Sequence, residues 1–336
     1  MAETTLKPLL NEATVIGRLK EVNLELGETQ NGKENIKGNV IVLVKEKDKK
    51  TGEIREHDIR VRVYSNKYKK DGKENGLYKG YEKVLNEYKS IAETGDKDEA
   101  DLVRVNGSIE LNEYIAQDGA VRRHNNISGK FFHRITPDKV KKERGPIAKV
   151  KVQGVVTGIK DITGEDGLPT GEKRLEFYNV DFYGKLQENA KPIIPIEAII
   201  PEDIAEKFEE LYDVGDTGQF TLKVNNYAEE ADEEELQEEV DGFGDTEDLV
   251  DVKTRFVNNL EVVGGSLPFD NGREYDEEQI EEAEQWRKKA LDDLEDGYTP
   301  TATPKDDNAF GEGSKEDTSK DKSDDISDTD MDDLDF

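Results

Sequence analysis

Residues 57–64 have the sequence His-Asp-Ile-Arg-Val-Arg-Val-Tyr, in which apolar and polar side chains alternate. Because successive side chains of a β-strand point to opposite faces, Ile59, Val61 and Val63 are predicted to face a core. The opposite face then presents two cations and an aromatic ring, from Arg60, Arg62 and Tyr64. The stretch therefore predicts a β-strand with a basic, aromatic outer face.

Further strand patterns on both sides of this stretch define a five-stranded unit. Two β-branched runs, residues 13–22 and 38–44, precede it. A long connection follows it, and the second half of that connection, residues 80–94, has helical spacing. Two more strand patterns come next, at 101–111 and 127–135. Three strands, a helical crossing and a hairpin are the order of a small Greek-key barrel, the oligonucleotide-binding (OB) fold.

The same pattern restarts after a charged linker. Residues 150–159 resemble residues 13–22, and a glycine lies near the strand centre in both, at Gly17 and Gly154. The remaining patterns of this second unit are strands at 175–183, 193–200, 214–227 and 252–263 and a helix at 201–212. The sequence therefore predicts a mainly β protein with two tandem five-stranded OB-fold (Greek-key) barrels.

The predicted organisation has five parts. They are an OB-fold domain at 1–136, a basic linker at 137–147, a second, acidic OB-fold-like domain at 148–264, an acidic segment with one amphipathic helix at 265–296, and a disordered acidic tail at 297–336. The helix pattern spans residues 276–295, with Ile280, Ala283, Trp286, Ala290 and Leu294 on one stripe. Polar, Gly-rich and Ser-rich composition after residue 297 favours disorder.

The net charge of −31 is unevenly distributed along the 336 residues. Residues 1–150 carry 30 Lys and Arg against 25 Asp and Glu, a net of +5. Residues 151–265 carry 10 against 29, and residues 266–336 carry 8 against 25. A mildly basic domain is therefore joined to an acidic domain and an acidic tail, which indicates an anion-binding module with an arm that can compete for the same surface.

The residue inventory argues against an enzyme. The chain has no cysteine and three histidines, and it lacks a P-loop, a two-cysteine zinc signature and a nucleophile elbow. The acidic run at 233–239 lacks the glycine-interrupted spacing of a calcium loop. We therefore predict no catalytic residues, no metal and no cofactor. No apolar run reaches membrane-spanning length and no signal peptide is recognised, so we expect a cytoplasmic protein without a membrane partner.

The first domain combines what single-stranded nucleic acid requires, cations for phosphates and flat rings for bases. The candidate DNA-binding residues are Arg60, Arg62, Tyr64, Lys67, Tyr68, Lys69, Lys70, Lys73 and Tyr78, and, from the last hairpin, Arg122, Arg123, Lys130, Phe131 and Phe132. Adjacent strand residues point to opposite faces, so only one of Phe131 and Phe132 can stack on DNA. Tyr81 and Tyr88 fit the core better. No arrangement suggests base-specific readout, which favours sequence-independent binding.

The second domain carries a dense run of acids between its last two strand patterns, at residues 228–251. In an OB fold this loop flanks the ligand groove, where acids repel a phosphate chain. Two alternatives remain open. Either the second domain binds DNA weakly or not at all, or the loop shields its groove until something displaces it.

The last nine residues, 328–336, contain five acids and end in an aromatic residue. These residues are too few and too charged to form a core of their own. They are typical of a peptide that inserts into a partner's pocket, with the acids steering it to a basic surface and Phe336 as the anchor. The alternative is a solubilising tail. The candidate partner-binding residues are Asp332, Asp333, Leu334, Asp335 and Phe336.

With its barrels, acidic arm and tip, the chain resembles the single-stranded DNA-binding proteins of bacteria and their phages. Residues match at the tip, 330–336, and loosely in the Val-x-Val-x-Gly strand at 103–107, although Asp335 stands where bacterial members usually have proline. The resemblance implies non-specific coating of single-stranded DNA in replication, recombination or repair, with the tip recruiting replication proteins. Two barrels in one chain indicate a phage-encoded version and a monomer or dimer rather than a tetramer.

Two other functions stay open at this stage. The acidic balance also fits an OB-fold protein-interaction scaffold or DNA mimic that does not bind nucleic acid. The same cations and rings also fit an RNA-binding protein.

Overall fold

The computed structural model describes residues 4–29, 31–47, 52, 54–116, 118–164, 167–187, 189–230, 254–270 and 272–296. Within these ranges the first half of the chain contains β1 (Asn11–Glu28), β2 (Glu34–Lys47), β3 (Ile54–Asn66), α1 (Gly76–Glu87), α2 (Ile91–Thr94), β4 (Leu102–Ile115), β5 (Val121–Arg134) and α3 (Pro137–Lys142). The second half contains β6 (Ile147–Thr163), β7 (Pro169–Val180), β8 (Ile193–Ile200), α4 (Glu202–Leu211), β9 (Thr217–Glu230), β10 (Thr254–Gly265) and α5 (Glu277–Asp296).

The first five strands close into a barrel in the order β2-β3-β5-β4-β1, and β1 returns to pair with β2. The neighbours are antiparallel except for β3 and β5, which run parallel. The chain crosses from β3 to β4 through α1 and α2. This is the Greek-key order of the OB fold, as predicted. The alternation in β3 is also confirmed, because Ile59, Val61 and Val63 are buried in the barrel core.

The second barrel repeats this order with β6-β7-β8-β10-β9, and β6 returns to pair with β9. Its parallel pair is β8 and β10, which occupy the places of β3 and β5. A helix, α4, again connects the third strand to the fourth. Phe177, Phe208 and Phe220 fill the interior with ring centroids 5.0–5.9 Å apart. The prediction of two tandem five-stranded barrels is therefore confirmed.

Gly17 lies where β1 changes partner. Residues 13–18 of β1 pair with β4, and residues 18–28 pair with β2, with a bulge between Leu19 and Glu21. A Cβ atom at Gly17 would lie 2.2 Å from the backbone oxygen of Leu43. Only glycine allows β2 to approach this closely, and the approach closes the barrel.

The two barrels are joined edge to edge by β1 and β6. Residues 11–16 of β1 pair antiparallel with residues 147–152 of β6, so the strands of both barrels form one continuous ten-stranded sheet. In this register Ala13 lies opposite Val150, and each occupies the same position relative to the glycine four residues later. The pairing is therefore nearly symmetric between the two repeats.

The linker between the barrels is partly helical. Thr136 caps α3, its side chain accepting a hydrogen bond from the backbone N–H of Lys139. Val140 is buried in a small cluster with Ile16 and Ile135. The predicted basic linker at 137–147 therefore contains a short helix that packs against the first barrel.

The predicted amphipathic helix near residue 280 is present as α5. Its stripe packs as expected, with Ala283 and Ala290 buried and Trp286 half-buried. Glu282 accepts hydrogen bonds from the Thr4 hydroxyl and from the backbone N–H of Thr5, both at 2.7 Å, which ties the helix to the N-terminal segment. None of the helices in the described ranges is long and apolar enough to cross a membrane. The predicted disordered tail, 297–336, lies outside those ranges.

We expect Gly17→Ala to lower the free energy of unfolding by about 1–3 kcal/mol, because the added methyl group collides with the Leu43 carbonyl. Gly80→Ala is the matched control. It lies inside α1 with nothing within 4 Å of the new Cβ, so we expect it to raise the free energy of unfolding by about 0.5–1 kcal/mol. Chemical denaturation followed by circular dichroism measures both. Equal effects of the two substitutions would contradict the close approach at Gly17.

Candidate nucleic-acid interface

The outer face of β3 carries the predicted basic and aromatic side chains. Arg60 is exposed, and Arg62 and Tyr64 are half-buried. The Tyr64 hydroxyl donates a hydrogen bond to the side-chain oxygen of Asn66 at 3.2 Å, which helps to hold the ring. Among the described residues, neither the Arg60 nor the Arg62 guanidinium has an ion-pair partner. Both positive charges on this face therefore remain available for an anionic ligand.

β2 extends this face with residues that the sequence reasoning missed. Residues directly opposite in an antiparallel pair point to the same side, and Lys37 pairs with Tyr64 while Asn39 pairs with Arg62. The signal was present in the sequence, because Lys37 and Asn39 alternate with buried Ile36 and Val40. We call the set Lys37, Asn39, Arg60, Arg62 and Tyr64 the β2–β3 face.

The margin of the β2–β3 face on β1 is acidic. Glu21 pairs with Ile41, and Glu25 pairs with Lys37, so both carboxylates lie on the outer side of the same sheet. Glu25 is exposed and Glu21 is half-buried. A phosphate chain would therefore be attracted to the β3 side of the face and repelled on the β1 side. This asymmetry was not predicted.

The segment after β3 forms a small hairpin beside the β2–β3 face. Lys69 and Lys73 share a backbone hydrogen bond of 2.7 Å, and Tyr68 bridges to Glu74. The Tyr68 side chain is 50% exposed, with the Lys67 ammonium 5.7 Å from the ring centroid. The hairpin therefore offers an accessible ring beside a cation, and the binding role of Lys67, Tyr68, Lys69, Lys70 and Lys73 stays a prediction.

Acidic side chains lie next to lysines of this hairpin. Lys67 lies 2.9 Å from Glu34, and the hydrogen bond to that carboxylate raises the pKa of Lys67. Lys73 lies 3.0 Å from Asp71. Both pairs are partly exposed to solvent, so they are weak and a phosphate can compete with the carboxylates. Lys70 is exposed and Lys69 is half-buried.

Tyr78 is a correction, because its side chain is only 4% exposed and belongs to the barrel core. The helix pattern predicted a start near residue 80, whereas α1 starts at Gly76, where the Asn75 side chain caps it. The earlier start places Tyr78 on the buried face of the helix, one turn before Tyr81. Its ring is therefore not available for stacking on a base. Tyr81 and Tyr88 are buried, in agreement with their predicted core role.

The cations at the start of β5 do not join the β2–β3 face. Arg123 forms an ion pair with Glu197 of β8, and the Asn125 side chain donates a hydrogen bond to the backbone oxygen of Pro195 at 2.9 Å. The β4–β5 hairpin therefore contacts β8 of the second barrel. Arg122 is exposed and pairs with Asp118 of the same hairpin at 2.7 Å. The Arg123 charge is thus partly offset by Glu197 at the barrel junction, and its role in DNA binding stays a prediction.

Lys130 is close enough to Asp181 of the second barrel for its charge to act on that carboxyl. Burial raises the pKa of Asp181, which follows β7, and the positive charge of Lys130 and a hydrogen bond from Asn11 act in the opposite direction. The two aromatic residues next to Lys130 separate as predicted. Phe132 packs edge-on against Tyr81 with ring centroids 6.0 Å apart, whereas Phe131 is 37% exposed on the outer side of β5. Phe131 is therefore the member of this pair that can meet a base.

Two predicted features lie outside the described residues, wholly or in large part. The acidic run predicted at residues 228–251 begins in β9, and its residues 231–251 lie outside the described ranges. The same is true of the tip at 328–336 with its candidate partner-binding residues. Their roles remain predictions from the sequence.

Several solved structures are similar to this chain. The wild-type single-stranded DNA binding protein from Thermus aquaticus has 14% sequence identity and a TM-score of 0.48, over 80% of this chain and 98% of that chain. A deletion mutant of that protein has 15% identity and a TM-score of 0.44, over 79% of this chain and 97% of that chain. A small single-stranded DNA-binding protein from Streptomyces coelicolor has 13% identity and a TM-score of 0.25, over 40% of this chain and 96% of that chain.

Sequence comparison identifies a family. No curated protein matches the chain significantly. The family model described as YorF matches residues 10–297, a range that contains both barrels and α5. Because this match covers well over half of the chain, the protein belongs to the YorF family.

Proposed function

We propose that this protein binds single-stranded DNA without sequence preference, chiefly through the β2–β3 face and the hairpin at residues 67–73. The observation that carries the proposal is the alignment of Arg60, Arg62 and Tyr64 on the outer side of the third strand of an OB-fold barrel. In this fold the second and third strands form the usual surface for oligonucleotides.

The chemistry of the face favours a single strand over a duplex. Tyr64 and the exposed ring of Tyr68 offer surfaces on which unpaired bases can stack, and every base has a π-face. Paired bases inside a duplex are already stacked and do not reach such rings. Arg60 and Arg62 supply charge for the phosphates. Stacking and phosphate contacts carry little sequence information, so binding should be sequence-tolerant.

Electrostatics make this binding strongly dependent on salt. The cations of the β2–β3 face belong to a protein whose net charge is −31. Glu21 and Glu25 lie at the edge of this face. Long-range repulsion between the acidic protein and DNA is screened by salt, whereas each lysine or arginine contact weakens as salt rises. Affinity should therefore depend on the few local cations rather than on the overall charge.

The finer parts of the proposal rest on the sequence. We propose that the protein coats DNA in replication, recombination or repair, that it is phage-encoded and acts in the host cytoplasm as a monomer or dimer, and that it is not an enzyme. The acidic tip at 328–336 would recruit replication proteins. The second barrel would bind DNA weakly or not at all. The alternative, an interaction scaffold or DNA mimic, is favoured by the 29 acids in residues 151–265 against 10 basic residues.

We expect the triple substitution Arg60→Ala, Arg62→Ala, Tyr64→Ala to weaken binding of fluorescent oligo-dT by well over tenfold, since it removes two phosphate contacts and one stacking ring. The slope of log affinity against log salt is negative, and its magnitude should decrease by about 1.4, at about 0.7 for each lost contact to a single strand. Fluorescence anisotropy at several salt concentrations measures both quantities.

The matched control for this triple variant is Tyr183→Ala, Lys185→Ala, Lys191→Ala. It removes one exposed tyrosine and two exposed lysines from the segment between β7 and β8 of the second barrel. Its oligo-dT affinity should stay within about twofold of the wild type. An unchanged binding curve for the first variant would dismiss the β2–β3 face. Failure of the wild-type protein to bind oligo-dT at low salt would favour the scaffold.

Alanine substitutions at Tyr68 and Tyr78 should have different effects, the first on DNA affinity and the second on stability. Tyr68→Ala should weaken oligo-dT binding about 5-fold to 160-fold with an unchanged melting temperature, since about 1–3 kcal/mol is lost for each stacked base. Tyr78→Ala should instead lower the free energy of unfolding by about 3–5 kcal/mol, because it leaves a cavity in the core. Anisotropy and thermal denaturation of both variants measure these effects. The reverse pattern would show that the two rings are wrongly assigned.

Deletion of residues 328–336 should leave oligo-dT affinity unchanged or raise it, because an acidic competitor for the basic surface is removed. The same deletion should abolish binding to purified replication proteins of the host, measured by surface plasmon resonance. Phe336→Ala is the control, since it removes the anchor and keeps the charge. Loss of DNA binding on deletion would contradict the proposed separation of roles.

A further inference from the structure

A pocket of about 240 Å³ lies on the outer side of β4 and β5, beside Lys139 of α3. Its lining residues are Arg104, Asn106, His133, Ile135 and Lys139. The strand register explains how they meet, because Arg104 lies opposite His133 in the antiparallel pair and their side chains therefore share a face. Lys139 reaches the pocket from the linker helix. The pocket is therefore built by the folded linker as well as by the barrel.

Three of the five lining residues, Arg104, His133 and Lys139, bring N–H groups to a pocket whose exposed wall is otherwise mostly apolar. The Arg104 guanidinium donates to the Asn106 side-chain oxygen at 2.9 Å, which fixes both side chains. Arg104 also pairs with Glu143 at 2.9 Å, and that carboxylate neutralises one charge. Lys139 adds a second positive charge, and the His133 imidazole adds a further polar group. The pocket therefore keeps an excess of positive charge and suits an anion.

An exposed aromatic ring lies next to the pocket. Phe131 is opposite Asn106 in the register and two residues before His133, so it lies on the same outer face. Alternate residues of a strand are about 6.6 Å apart, so the side chains of Phe131 and His133 are neighbours on this face. Phe131 is 37% exposed. A cationic pocket and a ring are therefore side by side.

The size of the pocket limits the ligand. A volume of 240 Å³ equals that of about eight water molecules at about 30 Å³ each. It is below the range of roughly 300–1,000 Å³ in which drug-sized ligands bind. A phosphate group with a few waters, or one small ring, fits this space. A large cofactor does not.

We infer that this pocket binds one nucleotide of a single DNA strand, with the phosphate held by Lys139, Arg104 and His133 and the base against Phe131. The inference rests on the proposed function and adds a second contact site to it. The strand order β2-β3-β5-β4 places β5 between the β2–β3 face and β4, so a strand on that face can continue over β5 to the pocket. Of these residues, only Phe131 was a candidate from the sequence.

The test compares Lys139→Ala with Lys141→Ala. Both remove one exposed lysine from α3, but Lys141 does not line the pocket. Lys139→Ala should reduce the magnitude of the negative salt slope of oligo-dT binding by about 0.7, because one phosphate contact is lost. Lys141→Ala should leave the slope unchanged. Phe131→Leu, which keeps an apolar side chain, should weaken binding at least fivefold. Thermal denaturation verifies that all three variants are folded.

Photocrosslinking provides a direct readout of contact. An oligo-dT with 5-iododeoxyuridine should crosslink to Phe131 or His133 of the wild-type protein, located by mass spectrometry. Crosslinks confined to the β2–β3 face, together with identical behaviour of Lys139→Ala and Lys141→Ala, would overturn the inference. In that case sensitivity to Arg60→Ala, Arg62→Ala, Tyr64→Ala would still support the proposed function. Failure of the wild type to bind oligo-dT would contradict both the proposed function and this inference.

Free nucleotide is the other source of the same chemistry. Titration with dTMP, followed by calorimetry on the wild type and Lys139→Ala, distinguishes it from a DNA strand. If Lys139→Ala abolishes dTMP binding and leaves oligo-dT affinity and salt slope unchanged, the pocket is a site for free nucleotides and the inference is wrong. If Lys139→Ala reduces the magnitude of the oligo-dT salt slope, the strand is the ligand.

Discussion

The hydrogen bonding of β1 on both of its edges is the constraint on which the rest of the structure depends. Residues 13–16 pair with β4 on one edge and with β6 on the other, and the later residues of β1 turn to β2. A buried strand must satisfy its backbone N–H and C=O groups, and here the two barrels satisfy them together. The strand that closes the first barrel therefore also fixes the position of the second.

This junction determines which cations can act on a ligand. Two side-chain contacts between the barrels support the junction. Arg123 of β5 forms an ion pair with Glu197 of β8. The ring of Tyr227 on β9 packs edge-on against the buried ring of His57 on β3, with ring centroids 5.1 Å apart. His57 Nδ1 accepts a hydrogen bond from the Asn226 backbone at 3.3 Å, and burial lowers the pKa of this histidine, which favours the neutral form. The Arg123 charge is therefore paired at the junction, whereas Arg60 and Arg62 on the β2–β3 face have no ion-pair partner among the described residues.

The sequence predicted which side chains lie on an outer face where a single strand determined this, and it failed where the packing of several elements determined it. Arg60, Arg62 and Tyr64 followed from period-two alternation, which the buried Ile59, Val61 and Val63 confirm. Tyr78 was misassigned because the capping role of Asn75 shifts the start of α1 by four residues, and its ring turns inward. Arg104, His133 and Lys139 gave no signal, since each is an ordinary polar residue until β4, β5 and α3 meet.

The sequence by itself determined the two barrels, their strand order and the basic outer face of β3. These depend on local alternation, on turn residues and on Gly17 and Gly154, which recur at equivalent positions of the repeat. Only the tertiary structure decided the pairing of β1 with β6, the ion pair between Arg123 and Glu197, and the pocket under α3. The physical reason is distance along the chain. Arg123 and Glu197 are 74 positions apart, and hydrophobic periodicity reports only on residues that are close in sequence. Whether two such distant residues meet is decided by the packing of the whole fold.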